Sequence, residues 1–312
     1  MVGDCNMKRV IITGATGAIG TALIRKLVEN QVEVLVLIHP DSKRKNHIPV
    51  HQHISVLECG MKDFSCMQNA TGKKFDVFYH FAWAGAAGSG RHDMYLQNMN
   101  VKYALDAVAL AHRFGCKLFI GSGSQAEYGR FEGLLQPNTP VFPEMGYGYA
   151  KLCAGQMTRE YAHQLGMKHI WTRILSVYGP NDGSQSMVMS TICKLKNNEV
   201  PKFTKGEQMW DYLYSGDAAQ AFYLLGNNGV DGKTYVLGSG QAHPLKEYIE
   251  MIRDIVNPNS RVDIGALPYG DKQVMHLQAD ITELQKDTGF IPCTNFKEGI
   301  KNVIKAVETD TI

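Results

Sequence analysis

The chain has 312 residues, with 32 Lys or Arg against 30 Asp or Glu and a formal net charge of +2. So balanced a charge, with Lys43-Arg44-Lys45 as the longest basic cluster, argues against a nucleic-acid partner. The apolar share, 44%, is that of an ordinary globular protein, and no apolar run reaches the ~20 residues that span a bilayer, so no membrane partner is expected.

This length suits one large domain or two unequal ones. Seven cysteines stand at positions 5, 59, 66, 116, 153, 193 and 293, an odd count without a CxxC pair. Free thiols in a reducing cytoplasm are expected. Residues 1–6 are polar and lead straight into an apolar run, so no signal peptide is expected, and Met7 is an alternative start.

Residues 9–12, Arg-Val-Ile-Ile, predict a buried first strand. Thr13-Gly14-Ala15-Thr16-Gly17-Ala18-Ile19-Gly20 follows, and Ala22, Leu23, Leu27 and Val28 then recur at helical spacing. Glycines between a strand and a helix have a physical task. Gly14 allows the tight turn, Gly17 lets a pyrophosphate approach the backbone, and Gly20 lets helix and strand pack closely. The helix N-terminus adds unpaired N–H groups and a partial positive charge.

Strand patterns recur at 32–38, 54–57, 76–81 and 117–120, with helical patterns between most of them, notably 96–114. This alternation predicts an α/β fold, a doubly wound parallel sheet of Rossmann type with helices on both faces. The near-continuous apolar strands agree, being covered on both sides. A helix is predicted over 146–165, a sixth strand over 169–177, a returning strand over 234–237 and a helix over 244–256; residues 180–214 are loop-rich. Residues 1–178 with about 215–239 are expected to form a dinucleotide-binding domain. Residues 179–214 and 240–312, approximately, are expected to form a smaller, interleaved substrate lobe.

Tyr147-Gly148-Tyr149-Ala150-Lys151 carries the chemistry. Residues four apart share a helix face, so Tyr147 and Lys151 point the same way and Tyr149 elsewhere. A nearby ammonium favours the phenolate and lowers the phenol's pKa. Such a tyrosine exchanges a proton with a sugar hydroxyl or ketone while hydride moves to or from a nicotinamide. Upstream, Gly121-Ser122-Gly123-Ser124-Gln125-Ala126-Glu127-Tyr128-Gly129 ends a strand in hydroxyl residues at the sheet edge where such folds bind ligands. Gly85 to Arg91 reads as a flexible loop at that same edge, where Arg91 can reach a substrate phosphate.

These residues together resemble the extended short-chain dehydrogenase/reductase family, the NAD-dependent epimerase/dehydratase group, over nearly the whole chain. The likeness lies in the Thr-Gly-x-x-Gly-x-x-Gly loop, the strand from Asp76 to Ala82, Asn100-Val101 and the serine strand. It extends to Tyr147-x-x-x-Lys151, Arg173-Ile174-Leu175-Ser176-Val177-Tyr178-Gly179-Pro180 and Trp210-Asp211-Tyr212-Leu213-Tyr214-Ser215-Gly216-Asp217. It implies a nucleotide-sugar substrate, with Ser124 as the catalytic hydroxyl, Ser122 as the fallback and Tyr147 as acid/base. Lys151 would hold the nicotinamide ribose and tune the tyrosine. Phe81, Ala82 and Trp83 would line the cofactor, with Gly14, Thr16, Gly17, Ala18, Ile19, Met61 and Ile174, and Asn100 close by. Gln125, Ser176, Trp210 and Arg91 are the substrate candidates. The family also implies a homodimer formed through two helices of each subunit, here about 96–114 and 146–165.

Departures narrow the class. Sugar 4,6-dehydratases of the family carry Thr-Asp-Glu where this chain has Ser124-Gln125-Ala126, and Glu127 falls one position late. Water elimination is therefore not expected. Trp210 replaces an arginine that grips the diphosphate in many relatives, Ser176 replaces an asparagine, and Gly60 replaces an aspartate that contacts adenine.

An acid at the tip of strand two would favour NAD. His39 stands at about that tip, and Ser42, Lys43 and Arg44 follow, which suits the 2′-phosphate of NADP. NADP is the expected cofactor and NAD the alternative. No metal is expected, because His47, His51 and His53 lack a completing cysteine or carboxylate pair. The leading reading is a 4-keto-sugar reductase with exchangeable NADPH. A 4-epimerase with retained NAD competes with it, and a non-catalytic NAD(P)-binding sensor is a further alternative.

Overall fold

Residues 7–309 are described by the computed structural model; the start at 1–6, with Cys5 and the question of a leader, lies outside them. In chain order the first half contains β1 (Arg9–Thr13), α1 (Ala18–Glu29), β2 (Glu33–Ile38), β3 (Ile54–Glu58), β4 (Val77–His80), α2 (Met94–Arg113) and β5 (Leu118–Ser124). Next come β6 (Leu134–Leu135), α3 (Gly146–Gln164), β7 (Lys168–Ile174), β8 (Ser176–Tyr178), α4 (Met187–Lys196), β9 (Lys202–Phe203), β10 (Met209–Trp210) and β11 (Tyr212–Tyr214). The rest is α5 (Ser215–Asn228), β12 (Thr234–Leu237), β13 (His243–Pro244), α6 (Leu245–Val256), β14 (Asp263–Ile264), β15 (His276–Ala279), α7 (Thr282–Thr288) and α8 (Phe296–Thr309).

Seven strands pair in the order β12-β7-β5-β4-β1-β2-β3, every neighbour parallel. The fold is therefore the doubly wound Rossmann type. Alternate residues of one strand enter opposite layers, which explains the unbroken apolar runs. Val10, Ile12, Val34 and Val36 pack with Leu23, Leu27 and Phe222 of α1 and α5. Ile11, Leu35, Leu37, Phe78 and Phe119 pack with Val108 and Ala111 of α2 and Ala162 of α3. The strand order reverses between β1 and β4, and the C-terminal ends of the strands open there into a crevice.

Several expectations are corrected. The sixth strand breaks at Leu175: β7 stays in the main sheet, whereas β8 pairs with β11. Residues 180–214 include α4, capped by the Ser186 hydroxyl on the Met189 N–H. That helix, with α6 and α8, encloses a third core of Met189, Ile192, Leu195, Ile252 and Val303. His51 and His53 precede β3, their rings stacked 5.3 Å apart. Among the described residues no group of three or more His, Cys, Asp or Glu is arranged to hold a metal ion, and no helix is long and apolar enough to cross a membrane.

Candidate active site

The glycine loop is shaped by contacts that exclude side chains. Gly14 has φ +69°, and a Cβ there would lie 2.5 Å from the Phe81 carbonyl carbon and the Ala82 nitrogen. A Cβ on Gly20 would meet Ala15 Cα and Gly14 O at 2.7 Å. Gly17 differs, since its Cβ position comes no nearer than 4.0 Å to another heavy atom. The chain needs no glycine at 17 for its own packing; the open space leaves room for a ligand against the backbone. Gly17 is the N-cap of α1, no side chain caps that end, and its first turn carries no acid. A phosphate pair fits this cradle.

Beside the loop lies a cavity of about 220 Å³, lined by residues that include Thr16, His39, Ser42, Met61, Ala82 and Trp83. Lys43 and Arg44 do not line it and are exposed. The charge of Arg44 acts to lower the Asp182 carboxyl, which burial raises. The chain after β2 folds back over the glycine loop, where His47 Nδ1 lies 3.1 Å from the Thr16 carbonyl oxygen. His39 and Asp63 both approach Gly60, each about 3.3 Å from where a Cβ would stand, and so take up the space an aspartate would need.

A larger cleft, about 620 Å³, opens at the ends of β5 and β7. Ser122, Ser124, Gln125, Tyr147 and Lys151 line it from one side. Ile19, Phe81, Trp83, Arg91 and Ile174 join them, with Ser176 of β8 and Trp210 of β10. Trp210 Nε1 donates to Ser176 Oγ at 2.8 Å, so these two candidates act as one surface. Tyr149 is 54% exposed and lies outside the cleft. Ala18 faces a separate crevice between α1 and α5. Asn100 lines neither cavity: it is buried and brackets Ala84, accepting from its N–H at 3.0 Å and donating to its carbonyl at 2.9 Å. It braces the Trp83–Ala84 segment from behind.

Lys151 is buried, donates to Ser122 O at 2.6 Å and sits 3.8 Å from the centre of the Trp83 ring. Burial pushes its ammonium down to about 7, against the charge of Glu127, which acts to raise it. Its Nζ lies 5.7 Å from the centre of the Tyr147 ring. Burial raises the Tyr147 phenol above its ordinary range, opposed by the Ser124 hydrogen bond and the charge of Arg91. The Lys151 Nζ is engaged with the Ser122 carbonyl and the Trp83 ring, and at Tyr147 desolvation outweighs the groups that lower the phenol. Ser124 also accepts from the Ala126 N–H at 3.2 Å, so it caps its own turn as well as facing Tyr147.

Three groups outside the expected site residues hold this site. Glu127 is fully buried; its Oε1 accepts from the Ser124 N–H at 2.9 Å and from Trp171 Nε1 at 3.0 Å, and its Oε2 pairs with Arg173 Nε at 2.8 Å. Trp171 occupies the space a Cβ would need at Gly121, Gly123 and Gly155. Gln97 of α2 accepts from Trp83 Nε1 at 2.8 Å and donates to the carbonyls of Gly85 and Gly90 at 3.0 and 2.8 Å. The loop from Gly85 to Arg91 is therefore tied at Gly85 and Gly90. The one available signal was the Ser-x-x-Glu spacing of Ser124 and Glu127, a capping-box pattern; nothing in the sequence points to Gln97.

Comparison with known proteins places this geometry in context. Residues 10–238 match the model of the "NAD dependent epimerase/dehydratase family". The chain is 24% identical over 302 residues to a putative UDP-glucose 4-epimerase of Methanocaldococcus jannaschii, covering 95% of this chain and 97% of that one. It is 25% identical over 320 residues to a dTDP-4-dehydro-6-deoxyglucose reductase of Escherichia coli, covering 97% and 99%. Its fold is similar to that of the UDP-N-acetylglucosamine 4-epimerase of Methanobrevibacter ruminantium, with a TM-score of 0.87, 21% identity and coverage of 97% and 99%. The chain belongs to the NAD dependent epimerase/dehydratase family.

Proposed function

We propose that this protein is an NAD(P)-dependent oxidoreductase of a nucleotide-diphosphate sugar, acting as a 4-keto-sugar reductase. The observation that carries the reading is the meeting of Ser124, Tyr147 and Lys151 in one cleft, with the neighbouring acid, Glu127, sealed behind Ser124 by Arg173. Water elimination needs a free acid and base beside the sugar; Glu127 serves neither role. When bound, a reduced nicotinamide supplies the hydride. Tyr147 gives its phenolic proton to the ketone oxygen as that carbon takes the hydride, and Ser124 steadies the same oxygen by a hydrogen bond. Lys151 is set to hold the ribose. Gln125, Ser176, Trp210 and Arg91 are set to hold the sugar and its phosphates.

NADP is the preferred cofactor in this reading, because no residue lining the cavity beside the glycine loop is acidic and His39 and Ser42 stand there instead. Residues 1–178 with about 215–239 make the dinucleotide unit, and the remainder the substrate lobe. A homodimer forms over α2 and α3, whose outer faces expose Tyr95, Met99, Tyr149 and Met157. Six cysteines without disulfides among the described residues are in keeping with the cytoplasm.

One observation favours the 4-epimerase: the His47 to Thr16 contact folds a strap over the glycine loop and would hinder cofactor exchange. Purified protein decides between the two. A reductase arrives free of nicotinamide, is filled by NADPH and consumes it in proportion to keto-sugar. Stoichiometric NAD on the purified protein, with C4 epimers interconverted without added cofactor, establishes the epimerase. Tyr147→Phe abolishes turnover and spares NADPH binding; unchanged turnover rejects the Ser-Tyr-Lys reading itself.

A further inference from the structure

Among the described residues, Trp83 alone lines both the cavity beside the glycine loop and the catalytic cleft. Its indole is fixed at that junction from several sides. Nε1 donates to Gln97 Oε1 at 2.8 Å. Gln97 is fully buried, and its amide nitrogen donates to the Gly85 and Gly90 carbonyls at 3.0 and 2.8 Å. Those two carbonyls can only accept, so the amide has one orientation and its oxygen must face the indole. Tyr147 meets the indole edge to face, with ring centres 6.1 Å apart and planes at 84°. The Lys151 Nζ lies over the ring, 3.8 Å from its centre.

The bonding of Lys151 explains why a fixed ring is needed there. An ammonium has three donors. The buried Lys151 Nζ gives one to the Ser122 carbonyl at 2.6 Å and finds only Ser122 Oγ, at 3.4 Å, for a second. Glu127, the acid whose charge acts on it, is paired with Arg173. The indole face therefore takes the place an ion-pair partner would have, and such a face attracts a cation most strongly where water is excluded. We propose that Trp83, locked by Gln97, is a positioning residue whose ring holds the Lys151 ammonium at the junction of the cofactor cavity and the catalytic cleft. The inference rests on the Ser-Tyr-Lys reading, in which that ammonium holds the ribose; Trp83 acts through it. The titratable neighbours of Lys151 are Tyr147 on its own helix, Glu127 after β5 and His80 at the end of β4, with Arg91 over the Tyr147 ring. Burial pushes His80 down to about 3 and Tyr147 above its ordinary range, so both stay neutral between about pH 5 and 9. The Lys151 ammonium, pushed down to about 7, changes charge within that window.

The experiment first reads Trp83 in the protein without cofactor or substrate, as the indole emission of each protein minus that of its Trp83→Phe counterpart. This emission is expected to change around one midpoint near 7 as the ammonium loses its proton, and to stay constant in Lys151→Met. An emission that is flat in the unaltered protein overturns the proposal. So does a change that persists in Lys151→Met, which would belong to another group such as His39 of the same cavity. Calorimetry then follows NADPH binding against pH. Affinity is expected to fall as pH rises and the ammonium is lost. Trp83→Leu removes the attracting face and favours the neutral amine, so the fall is expected about one pH unit earlier, roughly tenfold in affinity once both proteins have passed their midpoints. Trp83→Phe is expected to restore most of it, because the smaller ring still presents a face. Matching thermal unfolding of the variants keeps folding out of the result. If Trp83→Leu weakens NADPH equally at every pH, Trp83 is only a wall of the cavity and the proposal fails. None of these failures touches the oxidoreductase reading, which falls only if Tyr147→Phe keeps its turnover.

Discussion

Glu127→Gln isolates what the buried ion pair behind Ser124 contributes. The amide retains an oxygen for the Ser124 N–H and for Trp171 Nε1, so both of those hydrogen bonds survive. What disappears is the charge opposite Arg173, whose side chain is 6% exposed, and the new amide N–H group is turned towards a guanidinium that can only donate. Removing one partner of a buried pair costs about 3–5 kcal/mol. Arg173 keeps the Pro137 carbonyl at 3.0 Å and the Tyr128 ring at 4.6 Å, so the lower end, about 3 kcal/mol, is expected. That is a large part of the roughly 5–15 kcal/mol that separates a folded domain from its unfolded chain. Glu127→Gln with Arg173→Met removes the orphaned charge, and the pair is expected to lose less than Glu127→Gln alone. Urea unfolding measures the unaltered protein, Glu127→Gln, Arg173→Met and the double variant. A loss under about 1 kcal/mol for Glu127→Gln, or a double variant as weak as the two single losses added together, refutes the reasoning.

Two further outcomes follow from the loop and from the buried histidines. Gly17→Ala is expected to leave thermal stability nearly unchanged and to weaken NADPH binding, because the added methyl meets only the ligand's space, whereas Gly14→Ala strikes Phe81 and Ala82 at 2.5 Å and lowers stability outright; equal stability losses reject this division. Burial pushes His80 and His169 down to about 3, below the ordinary histidine value, so the unfolded chain binds more protons between pH 3 and 6.5 and stability falls as pH drops through that window. His169→Phe, which preserves the ring stack between Phe119 and Trp171, is expected to flatten that fall by up to about 1.4 kcal/mol per pH unit; an unchanged slope overturns the assignment.

The parallel sheet was legible because its cause is local: each strand is covered on both faces, so each reads as an apolar run. The Tyr147 and Lys151 pair was legible for a similar reason, since helical period alone puts both on one face. What the sequence hid depends on distant partners. Asn100 reads as a site residue, yet it spends both side-chain groups on the Ala84 backbone. Arg44 stands two residues after Ser42 and donates its N–H to the Ser42 Oγ at 3.4 Å, yet of the two only Ser42 lines the cavity. Gly85 to Arg91 has the composition of a flexible loop and is held by a glutamine six residues further on. Glu127 looked like a misplaced catalytic acid; only Arg173 and Trp171, brought alongside by the pairing of β5 with β7, show it to be a brace.

The same pairing explains why this edge of the sheet tolerates so many costly groups together. Lys151 is desolvated, Arg91 has an unpartnered nitrogen, and Glu127 and Arg173 form an ion pair out of water. Each opposes folding when taken alone. None of them belongs to the two apolar layers that clasp β1, β2 and β4, where Ile11, Ile12, Val36 and Phe78 are fully buried. Stability and chemistry are therefore drawn from different parts of the sheet: apolar residues in the middle of the strands, serines and charges at or beyond their C-terminal tips. Because β5 runs on from Phe119 and Ile120 through Ser124 without a break, the rigid middle fixes the tip and the groups gathered around it.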